Sequence, residues 1–218
     1  MLSTPRSPEL SGDGGVEERV FAAAKTLVET APTELDDEAL ARAKAGDTEA
    51  LHALIALYED RVFALIFRMM LGRSTDRTHD LAQETFVRVL RRVRDFDPRG
   101  TAKLSTWILT IGTRVVLNER RRASRDREQL DDDAVAAAVS DDRADRSIER
   151  MRLAATLTSG IAALSDDQRA VFVLRDYHEL EYAEIAAALE IDLNTVRSRL
   201  HRARTALRAA LSAAGVEP

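Results

Sequence analysis

Leu51, Leu54, Ile55, Tyr58, Val62, Leu65, Ile66 and Met69 recur at steps of three and four through EALHALIALYEDRVFALIFRMML, residues 49–71. That period belongs to a helix burying one face, and Gly72 follows as its stop. The helical pattern begins at Asp37 and resumes over Asp76–Val93, with Leu81, Ala82, Phe86, Val89, Leu90 and Val93 inward. Asp97-Pro98-Arg99-Gly100 reads as a turn, since Pro presets the backbone and Asp and Gly favour tight reversals. Ser105 is placed to cap a further helix running to about Arg122, with Trp107, Ile108, Ile111, Val115 and Val116 apolar. No stretch shows the period-two alternation of a half-buried strand, so the expected fold class is all-α.

The periodicity breaks over residues 123–149, which include DREQLDDDAVAAAVSDDRADR, and a second helical block runs from about Ile148 to Leu211. The expected architecture is two small helical domains, 38–122 and 150–212, joined by a flexible acidic linker at 123–149. An N-terminal tail, 1–37, is rich in Gly, Pro and Ser over its first 15 residues and is expected to be disordered there. VEERVFAAAKTLVET, 16–30, could form a short helix that Pro32 stops.

A net charge of -5 argues at first against a nucleic-acid partner, but it is unevenly spread. Residues 1–38 and residues 126–149 each carry nine acids against three bases, so the rest of the chain is at +7. Affinity for nucleic acid depends on local patches rather than on the total. The chain has no cysteine, which excludes disulfides, thiolate catalysis and Cys-held zinc and fits a reducing, cytoplasmic setting. No apolar run approaches the roughly 20 residues of a membrane helix. MLSTPRSPELSGDGG lacks the basic start and apolar core of a signal peptide, so export is not expected. There is no GxxxxGK[ST], no GxGxxG after a strand and no HExxH, and the four His, at 52, 79, 178 and 201, are scattered. No enzyme activity, cofactor or metal is expected.

Tyr182–Arg208, YAEIAAALEIDLNTVRSRLHRARTALR, is the best-defined local pattern. A short amphipathic helix with Ile185, Ala186 and Leu189 inward is followed by a tight Glu190-Ile191-Asp192 connection. A second helix starts near Leu193-Asn194 with Val196, Leu200, Ala203 and Leu207 inward, and small Ala186 and Ala187 would let the two cross closely. This is the sequence form of a helix-turn-helix. The outer face of the second helix carries Arg197, Arg199, Arg202, Arg204 and Arg208, with Asn194, Thr195, Ser198 and His201, and has no acid. Arg pairs bidentately with guanine in the major groove, while Ser, Thr and Asn reach phosphates or base edges. The plain alternative is a solvated basic helix lying against an acidic neighbour. By itself the pattern leaves the class open, because an activator or repressor of the response-regulator kind would end in a similar block.

The N-terminal block separates these classes. ALARAKAGDTEALHALIALYEDRVFAL (Ala39–Leu65), DLAQETFVRVLRRVRDFDPRG (Asp80–Gly100) and KLSTWILTIGTRVVLNERRR (Lys103–Arg122) resemble the first conserved domain of the extracytoplasmic-function sigma factors of the bacterial sigma-70 family. IAALSDDQRAVFVLRDYHELEYAEIAAALEIDLNTVRSRLHRARTALRAAL (Ile161–Leu211) resembles the second. The resemblance covers about two thirds of the chain, in the right order, with the acidic run between.

It implies a transcription initiation factor that binds core RNA polymerase and directs it to promoters through their -10 and -35 elements, aiding strand opening. Asp80, Gln83 and Glu84 share one helix face by their spacing. The resemblance makes this face, with Arg88, the site that docks on the β′ coiled coil, and the second domain a partner of the β flap. Lys103, Trp107, Arg114, Asn118, Arg121 and Arg122 would meet the -10 element, within a basic run that also includes Arg120, Arg125 and Arg127. The loop Asp95–Lys103 matches the segment that captures an unstacked base. Asn194, Thr195, Arg197, Ser198, Arg199, His201 and Arg202 would meet the -35 element. The chain departs from the family at Leu104, Arg114 and Asn118, where Phe, Asn and Asp are usual; this bears on the -10 sequence read. The family also implies an anti-sigma partner that clamps both domains, and a linker that threads towards the RNA exit channel. There the -6 run at 126–149 would mimic RNA.

Overall fold

The computed structural model describes residues 34–71, 76–100, 102–127 and 146–215, and among these every regular element is helical. In chain order they are α1 (Asp37–Ala45), α2 (Thr48–Met69), α3 (Asp76–Arg92) with a 3-10 turn at Val93–Asp95, and α4 (Leu104–Arg127). The second half has α5 (Arg146–Ala163), α6 (Asp166–Phe172) with a π-type turn at Val173–Tyr177, α7 (Tyr182–Leu189) and α8 (Leu193–Ala213).

Local chemistry sets these boundaries. Asp36 and Asp47 accept the Ala39 and Ala50 amides at 2.8 and 3.0 Å, which satisfies donors that a helix N-terminus leaves open. Gly46, at φ 90°, ends α1 in the left-handed conformation and turns the chain into α2. The apolar stripes then meet: Leu54, Tyr58, Val62, Leu65, Ile66 and Met69 of α2 are buried with Leu81 and Val89 of α3 and Ile108, Leu109, Val115 and Val116 of α4. Gly112 allows the close approach of α4, because a Cβ there would lie 3.1 Å from Leu65 Cδ2 and 3.4 Å from Thr85 Cγ2. Leu65→Ala is expected to cost about 2–5 kcal/mol through the cavity left at this three-helix contact. Urea unfolding of the variant beside the parent checks this.

Ser105 is not a helix cap. It lies buried in the first turn of α4, and its amide and hydroxyl both donate to the Glu34 carboxylate, 71 positions away. Glu34 also accepts the Tyr58 hydroxyl at 3.0 Å. Burial, with the Glu34 charge adding, raises the Tyr58 pKa and keeps its hydroxyl a donor. The second boundary difference is at the acidic run. α4 continues to Arg127 and α5 already begins at Arg146, so both ends of the expected linker are helical. Its remainder, 128–145, lies outside the described residues, as do residues 1–33 of the tail with the expected helix at 16–30 and the Gly72 stop.

In the second half, the Ser165–Gln168 capping box starts α6. Gly160 brings α5 against α8, since a Cβ there would sit 2.8 Å from Leu207 Cδ2. The two halves, expected as domains joined only by a linker, also pack on each other, with α4 against α7 and the end of α2 against α6 and the π-type turn. One apolar cluster runs through both.

Candidate nucleic-acid interface

The helix-turn-helix forms as its sequence indicates. Glu190, at φ 57°, ends α7 in the left-handed conformation. Asp192 then caps α8, accepting the Thr195 amide at 2.9 Å and its hydroxyl at 2.5 Å. These bonds hold the Asp192 carboxyl below its ordinary pKa. Val196, Leu200, Ala203 and Leu207 are buried. The tight crossing uses Ala188, which is buried, and Ala186, which is partly covered; Ala187 is exposed.

The outer face of α8 is less uniform than its sequence suggests. Asn194, Arg197, His201 and Arg202 are exposed, with Arg197 3.3 Å from Asn194 Oδ1. The Ser198 hydroxyl donates to Thr195 O at 3.1 Å, so Thr195 and Ser198 are partly engaged by their own helix. Arg199 is drawn aside onto Asp167 of α6 at 2.6 Å, and Arg204 onto Asp176 at 2.7 Å. The free basic edge therefore narrows to Arg197 and Arg202, beside His201, while Arg199 and Arg204 tie the helix to its own bundle. Sequence alone could not separate these roles, because the two acids come from other elements.

α4, with Lys103 just before it, carries the second basic face. Lys103, Asn118, Arg121 and Arg122 are exposed. Trp107 is half-buried, its ring 5.3 Å from Phe96. The loop between them is held by an Asp97-to-Gly100 turn, with the Gly100 amide on Asp97 O at 3.1 Å, and by Lys44, which donates to Phe96 O at 2.5 Å. Two members of the basic run are engaged within the chain, Arg114 while remaining exposed. Arg120 is buried and reaches Met69 O at 2.9 Å and the Asp166 carboxylate. Arg114 donates to Ala188 O at 3.1 Å and pairs with Glu190 at 2.8 Å.

α3 presents the acidic face. Asp80 is 63% exposed in its side chain, and Gln83 is exposed beside it. Glu84 pairs with Arg88 at 2.5 Å. Arg77 bridges Asp80 at 3.3 Å and Glu119 of α4 at 2.8 Å, and these acids raise its pKa further. Val87, 45% exposed, lies one turn beyond Gln83 and Glu84; sequence reading did not single it out, since one exposed Val carries no signal. Among the described residues no cluster of three His, Asp or Glu is placed to hold a metal, and no helix is long and apolar enough to cross a membrane.

Comparison with known proteins places these elements in one family. Residues 54–126 match sigma-70 region 2 and residues 155–207 match sigma-70 region 4. These two regions define the class of a bacterial RNA polymerase sigma factor. The chain is 38% identical to the ECF RNA polymerase sigma factor SigE of Mycolicibacterium smegmatis over 167 residues, which are 75% of this chain and 63% of that one. It is 32% identical over 177 residues to the ECF RNA polymerase sigma factor SigW of Bacillus subtilis, covering 76% of this chain and 90% of that one. A structure of CnrH in complex with the cytosolic domain of CnrY matches with 27% identity and a TM-score of 0.54, over 80% of this chain and 96% of that one. The chain belongs to the extracytoplasmic-function sigma factors of the sigma-70 family. It is accordingly a transcription initiation factor and not an enzyme.

Proposed function

We propose that three faces of this chain divide the work of initiation. Asp80, Gln83, Glu84 and Arg88 on α3 dock on the β′ coiled coil of core polymerase. The open basic residues of α4, with Trp107 and the 95–103 loop, engage the -10 element and its unstacked base. The exposed edge of α8 reads the -35 element, with the second bundle seated on the β flap. The observation that carries this reading is the pairing, on one chain, of an acidic helix face for protein with two separate basic helix faces for DNA.

The α8 geometry ranks the residues. Arg197→Ala or Arg202→Ala is expected to cost about 1–3 kcal/mol in promoter affinity if the side chain reads a base, and less if it touches only phosphate. Arg199→Ala should cost less in recognition than either, because its guanidinium already pairs with Asp167. Promoter binding by the reconstituted holoenzyme, with core affinity measured alongside, checks the order. Full promoter selectivity in the Arg197→Ala/Arg202→Ala double variant would contradict it.

The site of action is the cytoplasm, where the polymerase is. An inhibitory protein partner of anti-sigma type fits the same scheme, since the similar CnrH forms a complex with the cytosolic domain of CnrY. Stoichiometric recovery of such a protein with the tagged chain from cells under stress tests it. Domain limits of 38–122 and 150–212 would then be those of the two binding units, with the acidic run between them acting as an RNA mimic. Replacing Asp131, Asp132, Asp133, Asp141 and Asp142 by Ser and Asn should then weaken core binding, more at low salt, because screening weakens the attraction.

A further inference from the structure

We infer that the segment Glu34–Gly46, ahead of the stretch that matches sigma-70 region 2, is a frame that positions the 95–103 loop for strand opening. Glu34 and Lys44 are its positioning residues. This rests on the reading of that loop as the one that takes an unstacked base. α1 has nine residues, a length that is marginal for an isolated helix in water. Leu40 and Ala43 are buried, and α1 packs on α2 and on the 3-10 turn Val93–Asp95. From there the segment reaches both ends of the loop.

At the loop's exit α4 begins at Leu104, so Lys103 stands where a capping side chain would. An ammonium only donates and cannot accept a helix amide. Glu34 supplies the acceptor from outside, taking the Ser105 amide at 3.2 Å and the Ser105 hydroxyl. Its carboxylate also suits the positive end of the α4 dipole. Tyr58 of α2 fixes Glu34 in turn, donating to it at 3.0 Å while accepting the Leu35 amide at 3.1 Å. At the loop's entry Lys44 Nζ donates to Phe96 O at 2.5 Å. A Cβ on Gly46 would lie 3.4 Å from Arg94 Nη2, so the Arg94 guanidinium rests on the C-terminal, negative end of α1. The two ends of the loop then meet through their rings, Phe96 lying 5.3 Å from Trp107 in the first turn of α4. The contacts form a closed circuit: Glu34, Ser105, Trp107, Phe96, Lys44 and back along α1. A surface that captures a base gains from being ordered beforehand, because ordering it on binding costs affinity. Loosening either end therefore slows the unstacking step, while duplex recognition by the exposed side chains of α4 and α8 is kept.

The test uses holoenzyme assembled from core polymerase and the full chain. Glu34→Gln keeps the side-chain shape but leaves one acceptor oxygen for three donors. Lys44→Met removes the bond at the loop's entry, and its partly exposed site makes it the milder variant. Helical circular dichroism checks the fold of both. The promoter carries 2-aminopurine at successive positions of the non-template strand of its -10 element, and a rise in fluorescence reports unstacking. Unstacking is expected to slow roughly tenfold in each variant, within what misplacing a positioned group costs. Closed-complex affinity at low temperature should be unchanged. Transcription from a template already unpaired over the -10 element should return to the parent level, which a merely weakened fold would not allow. Unstacking at the parent rate in both folded variants would overturn the inference. So would an equal loss of closed-complex affinity, unstacking and transcription from the unpaired template, since that is the mark of support for the fold alone. If the parent itself unstacks no base, the reading of the loop fails, and with it the inference.

Discussion

Asp80→Lys with Glu84→Lys is expected to weaken association with core polymerase at least a hundredfold while leaving the helical fold intact. Both side chains are substantially exposed, at 63% and 44%, so reversal disturbs little inside the bundle. Truncating or reversing a charge that is desolvated on docking costs about 2–5 kcal/mol or more, because the partner's charge is left unpaired. The local ion pairs sharpen the expectation. Arg77 and Arg88, which now balance Asp80 and Glu84, would become repelled neighbours and make the face strongly basic. Their loss should itself cost little stability, since exposed pairs contribute about 0–1 kcal/mol. Co-elution or fluorescence anisotropy with core measures the binding, and thermal unfolding measures the fold. Unchanged affinity in a folded double variant would remove α3 from the docking surface.

The second large effect concerns His178 and acid. His178 is buried at the turn before α7, and its Nε2 has no hydrogen-bond partner. Burial pushes its pKa down from 6.5 to about 3, and the nearby Arg61 and Arg68 charges push the same way. The unfolded chain therefore binds a proton near pH 6.5 that the folded chain refuses until about pH 3. The stability tied to this group is intact above pH 6.5 and is lost as pH falls through that window. The slope approaches about 1.4 kcal/mol per pH unit, and the loss between pH 6.5 and 5 is about 1.5 kcal/mol. Ordinary carboxylates titrate mostly below that interval. Urea midpoints at the two pH values should differ for the parent and much less for His178→Gln, even if that variant is weaker throughout. Parallel shifts in both proteins would contradict the account of His178.

Period and punctuation carried most of the fold. The stripes Leu54–Met69 and Val196–Leu207 bury most of the residues their spacing selects, and Asp97–Gly100 forms the expected turn on the surface. These are local signals, readable within a window of one helix. What spacing could not supply were partners from distant sequence. Ser105 looks like a cap, yet Glu34 supplies that function from the other end of the domain. Arg120 and Arg199 look like members of basic faces, yet Asp166 and Asp167, adjacent in α6, draw both away. Composition misled at residues 123–127, where SRDR-type polarity suggested a linker but the α4 helix continues to Arg127. Polar residues on the solvated end of a long helix carry no apolar period to announce it. Arg169 had no signal at all: a buried Arg that gathers carbonyls from two helix ends resembles any exposed Arg in the sequence.

The most direct measurement is run-off transcription by purified core polymerase on a set of cellular promoters, with and without this chain. The account predicts initiation at a defined subset only when the chain is present, and loss of those transcripts when either Asp80/Glu84 is reversed or Arg197/Arg202 is removed. Core polymerase that gives the same transcripts with and without the folded chain, across promoters recovered from its own genome, would contradict the assignment of this chain as a promoter-directing initiation factor.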